Sequence, residues 1–201
     1  MKKQILIATS NPGKAKEIIS ILEPVGSDVD FVLPIDIGIN EVPSEDGDDY
    51  SSIAKSKAIY YGRKSGLVSI ADDSGLEVFA LDGYPGIKSA RIKSAQSTDK
   101  SKYEFLLELM KDIPIGKRGA RFVCTACAYL TKVSKTIIAT GEWEGEILLS
   151  SRGEKGFGYD PVFFIPELGK TAAELSTNEK NMVSHRGKAF RLLWEKLRKE
   201  I

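Results

Sequence analysis

The stretch Gln4-Ile-Leu-Ile-Ala-Thr-Ser-Asn-Pro-Gly-Lys14 decides the fold class of this chain. Residues 4–9 are mostly apolar, which predicts a buried first strand. Asn11-Pro12-Gly13 predicts a tight turn directly after it. Helical spacing then places four apolar residues on one face of a following helix: Ala15, Ile18, Ile19 and Leu22. A strand, a tight loop and a helix in this order are typical of α/β proteins.

Strands and helices alternate in the first half of the chain, and hairpins dominate the second half. We predict strands at Asp30–Leu33 and Leu67–Ala71, and helices at Ser51–Lys64 and Thr98–Lys111. This order favours an α/β protein with a mixed sheet. No repeat, low-complexity tract or linker divides the sequence, so we expect a single domain over residues 1–201.

The charge balance and the N-terminus limit the classes of partner. The 201 residues contain 29 Lys and Arg and 28 Asp and Glu, a formal net charge of +1. Such a chain has no global field for gripping a nucleic-acid backbone, so we expect no nucleic-acid partner. The first apolar run is too short for a signal peptide or a membrane span, and no later stretch supplies one. We therefore expect a cytoplasmic protein with no membrane partner.

The two cysteines, Cys124 and Cys127, form a C-x-x-C pair that could indicate a metal or redox site. The surrounding residues favour a strand, on which positions three apart point to opposite faces. A zinc site also needs about four ligands, and the chain has one histidine. We therefore predict two structural cysteines.

A first candidate site is the loop Thr9-Ser10-Asn11-Pro12-Gly13-Lys14. Backbone N–H groups at a helix N-terminus bind anions, and Lys14 would add a full positive charge. The spacing is not that of a Walker A motif. The alternative is an ordinary capped turn with a solvated lysine.

A second candidate is Asp72-Asp73-Ser74-Gly75, which we predict to be a turn between the strand at Leu67–Ala71 and extended residues at Leu76–Leu81. Ligand sites of open α/β sheets form at the carboxyl ends of strands. Carboxylates are natural ligands for Mg²⁺, which takes the rest of its shell from water and substrate phosphates. The alternative is an Asx-turn in which both aspartates only bond backbone N–H groups.

Two further candidates lie near the C-terminus. In Gly156-Phe157-Gly158-Tyr159-Asp160-Pro161 the glycines let the backbone approach a ligand, and the aromatic rings could stack on a flat base. The alternative is a β-turn with core aromatics. Lys180, His185 and Arg186 concentrate cationic and donor groups near the start of the last helix, or are structural and surface residues.

Taken together, these segments resemble the Ham1/inosine triphosphatase family, the non-canonical purine nucleoside triphosphate pyrophosphatases. The resemblance covers nearly the whole chain. It also includes the following motifs: Gly83-Tyr-Pro-Gly86, Ser89-Ala-Arg91, Thr171-Ala-Ala-Glu-Leu175 and Ser184-His-Arg-Gly187. It implies a long mixed β-sheet flanked by helices, two lobes around a substrate groove, and a homodimer. It also implies Mg²⁺-dependent hydrolysis of ITP, dITP and XTP to monophosphate and pyrophosphate.

The resemblance also implies roles for individual residues. Thr9–Lys14 would hold the triphosphate, and Asp73 would be the general base and, with Glu45, a metal ligand. Substrate-binding roles fall to Ser74 and to residues framing the base and sugar: Phe157, Gly158, Tyr159, Asp160, Lys180, His185 and Arg186. The chain departs from the family at Ile53-Ala54, where Asn-Ala is usual, and at Lys88, where an aromatic residue is common.

Two other functions remain open from the sequence. The chain could be a nucleotide-binding regulator without turnover, in which case the carboxylates would only form turns. It could also be a metal-dependent phosphohydrolase that accepts many nucleotides.

Overall fold

The computed structural model of the chain describes residues 2–91 and 98–201. In these residues the strands are β1 (Lys3–Ile7), β2 (Val29–Val32), β3 (Val68–Val78), β4 (Pro85–Gly86), β5 (Gly119–Leu130), β6 (Lys135–Ile147), β7 (Phe163–Ile165) and β8 (Lys170–Thr171). The α-helices are α1 (Pro12–Leu22), α2 (Tyr50–Ser65), α3 (Asp99–Leu109), α4 (Thr177–Val183) and α5 (His185–Leu197). None of these helices has both the length and the apolar character needed to cross a bilayer.

The strands form a mixed sheet in the order β2-β1-β3-β5-β6-β7-β8, with β4 paired to β3. β1 runs parallel to both β2 and β3. β4 is antiparallel to β3, and β7 is antiparallel to β6 and β8. This arrangement confirms the predicted mixed α/β class.

The chain divides into two compact units. The first contains Met1–Asp73, Cys124–Gly141 and His185–Ile201, and the second contains Ser74–Val123 and Glu142–Ser184. Each unit is therefore built from segments that are distant in the sequence. We call them the first unit and the second unit.

The core of the first unit is organised by the two faces of β1. Ile5 and Ile7 belong to one buried cluster, which also contains apolar residues of α1 and α5. Leu6 and Ala8 belong to another, which contains Ala54 of α2. Successive side chains of a strand point to opposite faces, so the buried second half of β1 serves two hydrophobic layers.

Gly141 of β6 lets α5 approach the sheet closely. A Cβ atom at this position would lie 2.3 Å from the carbonyl oxygen of His185 and 2.7 Å from the backbone nitrogen of Ala189. Both are backbone atoms, which cannot move aside as a flexible side chain can. The absence of a side chain at Gly141 therefore sets the position of the first turn of α5.

β3 differs from the prediction of a turn at Asp72-Asp73-Ser74-Gly75. The structure has one continuous strand over Val68–Val78, so the two aspartates lie within a strand. Its first part pairs with β1 and its last part with β4, and these ladders satisfy the backbone on both sides of the acidic pair. The predicted turn and the Asx-turn alternative are both wrong for this reason.

The two cysteines lie on β5 and on opposite faces, as predicted. Cys124 belongs to the cluster of Ile5, and Cys127 to that of Leu6. Burial raises the pKa of the Cys127 thiol to about 12 and raises that of Cys124 as well. The neutral thiols therefore act as small apolar core residues.

The second unit has a core of aromatic and aliphatic residues. The ring of Phe163 lies 4.6 Å from that of Phe122 and 5.3 Å from that of Trp143, measured between centroids. Arg118 is buried beside this core. Its guanidinium donates to the backbone carbonyls of Met110, Ile113, Ile147 and Leu148. One buried cation thus ties the end of α3 to the end of β6.

Replacing Gly141 with Ala is expected to lower the free energy of unfolding by about 3 kcal/mol, because the added methyl group forces backbone away from backbone. Urea denaturation measures the change. Glu144→Ala on the exposed face of the same strand is the control and should stay within about 0.5 kcal/mol of the parent. Equal stability of the two variants would contradict the close approach of α5.

Candidate functional site

The loop between β1 and α1 has the geometry of an anion-binding helix start. Asn11 is the N-cap of α1, and its Oδ1 atom accepts a hydrogen bond of 3.0 Å from the backbone N–H of Lys14. The backbone N–H of Asn11 donates to Thr9 Oγ1 at 3.2 Å. Pro12 begins the helix, so the predicted turn is the helix cap itself. The first turn carries no acidic residue, which leaves its positive dipole available to an anion.

Lys14 is fixed by a buried network of charges in the first unit. Its Nζ atom lies 3.1 Å from Oδ2 of Asp72. The guanidinium of Arg186 lies 3.4 Å from the same oxygen and donates to Glu17 Oε2 at 2.6 Å. Burial disfavours the charge of Asp72, but the nearby cations Lys14, Arg186 and Lys57 outweigh it and hold its pKa below the usual range. The lysine of the loop is thus held by an ionised carboxylate.

Asp73 meets a second lysine, Lys57 of α2. The Nζ atom of Lys57 lies 3.8 Å from Asp73 Oδ1 and 2.9 Å from Glu45 Oε1. Burial raises the pKa of the Asp73 carboxyl to about 6. The structure therefore brings together Glu45 and Asp73, which were predicted as a pair, around a cation.

Sequence reasoning did not identify Lys57. Its side chain is buried, as are Ala54, Ala58 and Tyr61 on the same helix. A lysine in register with the apolar positions of a predicted helix was the available signal, because lysine is almost never fully buried without a partner. The departure at Ile53 is explained by packing, since Ile53 is buried and lies close to Gly47 in the loop of residues 41–49, which we call the acidic loop.

The donor set at Glu45 and Asp73 fits a hard divalent cation. The Oδ2 atom of Asp73 is buried and has no hydrogen-bond partner among residues 2–91 and 98–201. Glu45 and Asp73 are both within 4 Å of one ammonium group, which shows that their charges converge. No group of three or more His, Cys, Asp or Glu side chains with metal-binding placement occurs in the described residues. An ion held here would take its other ligands from water or from a substrate, as Mg²⁺ does.

A pocket of about 340 Å³ adjoins the loop in the first unit. Thr9–Pro12 form part of its wall, and Pro34, Ile39 and Tyr61 are among the residues that complete it. The hydroxyl group of Tyr61 donates to the backbone carbonyl of Glu41 at 3.2 Å. The acidic loop that carries Glu45 is thereby attached to α2 next to the pocket.

The turn of residues 156–161, which we call the aromatic turn, lies in the second unit and contacts α4. Oδ2 of Asp160 lies 2.5 Å from the Nζ atom of Lys180 and accepts a hydrogen bond of 2.9 Å from the backbone N–H of Phe157. The Nζ atom of Lys180 lies 5.1 Å from the centre of the Phe157 ring. Gly156 has a φ of +77°, and a Cβ atom there would overlap the Asp160 carboxylate. The glycine is needed for this close approach.

The remaining predicted residues are distributed between the units. Tyr159 is buried and its hydroxyl group donates to the carbonyl of Ser89, so Phe157 is the more exposed aromatic side chain of the turn. Ser74 is half-buried within β3 in the second unit. His185 and Arg186 are buried at the start of α5 in the first unit. Lys180 lies on its own short helix, α4, which the sequence did not predict.

Lys57→Met is expected to lower the free energy of unfolding by about 3 kcal/mol, because it leaves the buried Asp73 carboxylate without its nearest cation. Adding Asp73→Asn in the same chain should recover much of the loss, since the unpaired charge is then gone. Urea denaturation of both variants measures this coupling. Lys55→Met, at an exposed position of the same helix, is the control and should be neutral. An additive double variant would disprove the interaction.

Comparison with known proteins identifies the family. Residues 5–196 match the model of the Ham1 family. The dITP/XTP pyrophosphatases of Pectobacterium atrosepticum and Shigella flexneri are 44% and 42% identical over 198 residues, and each alignment covers 98% of both proteins. The solved Ham1 protein of Staphylococcus aureus superposes with a TM-score of 0.86 at 36% identity, covering 99% of this chain and 100% of that one. The chain therefore belongs to the Ham1 family.

Proposed function

We propose that this chain hydrolyses the non-canonical purine nucleoside triphosphates ITP, dITP and XTP to the nucleoside monophosphate and pyrophosphate. The names of the 44% and 42% identical relatives support this activity. One structural observation supports it most directly. Two adjacent aspartates hold two lysines, the partly buried Lys14 and the buried Lys57, and Lys14 lies in the first turn of α1.

The first unit supplies the groups that a triphosphate requires. Backbone N–H groups at the start of α1 and the charge of Lys14 favour phosphate oxygens. Lys57 adds a second positive charge beside Asp73. In this proposal Thr9–Lys14 hold the triphosphate, and Lys57 helps to neutralise it.

Asp73 is the proposed general base. Its Oδ2 atom is buried and has no hydrogen-bond partner in the described part of the chain, so it can accept a proton from a water molecule. The water oxygen forms a bond to the α-phosphorus, the bond from that phosphorus to the bridging oxygen breaks, and pyrophosphate leaves. The proton passes to Asp73.

Glu45 and Asp73 are the proposed ligands of Mg²⁺. When bound, the ion would offset the charge of the triphosphate and of the leaving pyrophosphate. Lys14 pairs with Asp72, so the lysine that contacts the phosphates in this proposal stays in place without the ion. Asp73, one of the proposed metal ligands, and Asp72, which holds Lys14, are thus neighbours on β3.

Recognition of the base is proposed for Phe157–Asp160, Lys180, His185 and Arg186, with Ser74 also contacting substrate. Hypoxanthine and xanthine present a 6-oxo acceptor and a protonated N1, whereas adenine presents a 6-amino donor and an unprotonated N1. A site built to donate to the 6-oxo group leaves its donors unpaired against adenine, and such sites reject the wrong analogue by as much as ~10⁴-fold. ATP is therefore expected to be a poor substrate.

The substrate range tests the proposal directly. ITP, XTP, GTP and ATP are supplied in turn, with pyrophosphate and orthophosphate measured separately. We expect ITP and XTP to be cleaved fastest with release of pyrophosphate, and activity to disappear on chelation and return with Mg²⁺. Equal rates for all four would indicate a broad phosphohydrolase. Binding without turnover would indicate a regulator.

Asp73→Asn is expected to lower kcat about 10²- to 10⁴-fold, with a smaller change in KM, because the amide cannot take up the proton of the attacking water. Steady-state pyrophosphate release measures both constants. Asp30→Asn, an exposed aspartate on β2, is the matched control and should behave as the parent. Unchanged turnover of the Asp73 variant would remove this residue from the role of base.

The remaining proposals concern assembly and location. We propose a homodimer, which the resemblance to the family implies, and a cytoplasmic location, which the sequence alone suggested. Sedimentation of the purified chain tests the first and fractionation of cells tests the second.

A further inference from the structure

The motif Thr171–Leu175 has no role in the function proposed above. It covers the end of β8 and a single-turn 3₁₀ helix, Ala172–Glu174, in the second unit. Its two polar side chains, Thr171 and Glu174, are both hydrogen-bonded within the protein. Its contacts show what else it does.

Glu174 joins this segment to the loop that follows β6. Its Oε2 atom accepts hydrogen bonds from the backbone N–H of Thr171 at 2.7 Å and from Arg152 Nη2 at 2.8 Å. The Nε atom of Arg152 lies 3.3 Å from the same oxygen. Hydrogen bonds from Arg152 and Thr171 lower the pKa of Glu174 to about 2, so the carboxylate is ionised at neutral pH.

Backbone contacts attach the loop to the same segment on both sides of the aromatic turn. Before the turn, the N–H of Lys155 donates to the carbonyl of Ala173 at 3.1 Å. Near the end of the turn, the carbonyl of Asp160 accepts a hydrogen bond of 3.2 Å from the N–H of Ala173. Gly153 lies so close that a Cβ atom would be 2.7 Å from the Ala173 carbonyl group. Residues 171–174 therefore contact the chain on both sides of the turn and hold its ends in place.

The segment also leads directly into α4. Ser176 is the N-cap of that helix and accepts a hydrogen bond of 3.2 Å from the backbone N–H of Glu179. Lys180 follows on the helix, with its Nζ atom 2.5 Å from Asp160 Oδ2. One short piece of chain thus fixes both members of the Asp160–Lys180 pair.

We propose that Glu174 is a positioning residue for the purine base: it sets the register of the Phe157–Asp160 turn against Lys180 through its bonds to Arg152 and Thr171. The inference rests on the proposed function for the identity of the ligand. Without Glu174, the loop loses the ion pair between Arg152 and this segment, and it keeps the hydrogen bond from Thr171 Oγ1 to the Arg152 carbonyl together with the backbone contacts. Base binding and base discrimination then suffer, while the groups in the first unit that act on the phosphates do not change.

Kinetics of Glu174→Ala test the role. We expect the KM for ITP to rise on the order of tenfold, because a charged acceptor of several hydrogen bonds is lost. The kcat should stay within about threefold, and the preference for ITP over ATP should fall. Glu174→Gln keeps an acceptor for Thr171 and should lie between the parent and the Ala variant. Glu108→Ala removes another surface carboxylate of the second unit, which pairs with Lys111 at 2.7 Å, and should change neither constant.

Amide hydrogen exchange gives a readout that does not depend on turnover. In Glu174→Ala the N–H groups of Lys155 and Phe157 should exchange faster, while those of β7 keep their rates. Faster unfolding or a lower Tm with unchanged exchange, KM and base preference would show that Glu174 is only structural and would overturn the inference.

The two measurements separate this inference from the proposed function. If the parent chain prefers ITP but the Ala variant keeps its KM, base preference and exchange rates, the positioning role alone is wrong. If the parent shows no preference for ITP while the variant still exchanges faster at Phe157, the proposed substrate is wrong and the control of the turn by Glu174 stands.

Discussion

The Oδ2 atom of Asp72 meets Lys14 at 3.1 Å and Arg186 at 3.4 Å inside the first unit, where the aspartate has no access to solvent. A buried carboxylate is tolerated only when cations and hydrogen bonds compensate for its lost hydration. The compensating groups come from α1 and α5, and Glu17 of α1 completes the set. The start of α1, strand β3 and helix α5 must therefore assemble together, because each supplies a charge that the others need.

The continuity of β3 gives the two aspartates different tasks. Successive residues of a strand point to opposite faces, so Asp72 turns towards Lys14 and Arg186, whereas Asp73 turns towards Lys57 of α2. Ile70 and Ala71, each two residues before an aspartate, likewise belong to the two different buried clusters. A turn at the acidic pair would not separate the carboxylates in this way. The closest aspartate contacts of the two lysines therefore lie on opposite faces of the sheet.

Local patterns predicted what depends on local chemistry. The capped loop before α1 and the amphipathic helices were predicted because their signals lie within a few residues. The path of β3 was not predicted, because Asp, Ser and Gly favour turns unless neighbouring strands hold them extended. Lys57 was missed for a related reason, since its partners Glu45 and Asp73 are 12 and 16 positions away in the sequence. Long-range pairing and buried charge are properties of the tertiary structure.

The two-sided packing of β1 constrains how the chain can change in length. Deleting or inserting one residue before Ile5 or within β1 would exchange the side chains that face α1 and α5 with those that face α2. Both layers would be repacked at once, and the loop that begins at Thr9 would be displaced with them. Variation in chain length is therefore expected to be confined to segments outside this strand, while β1 keeps its five residues and the alternation of its buried side chains between the two faces.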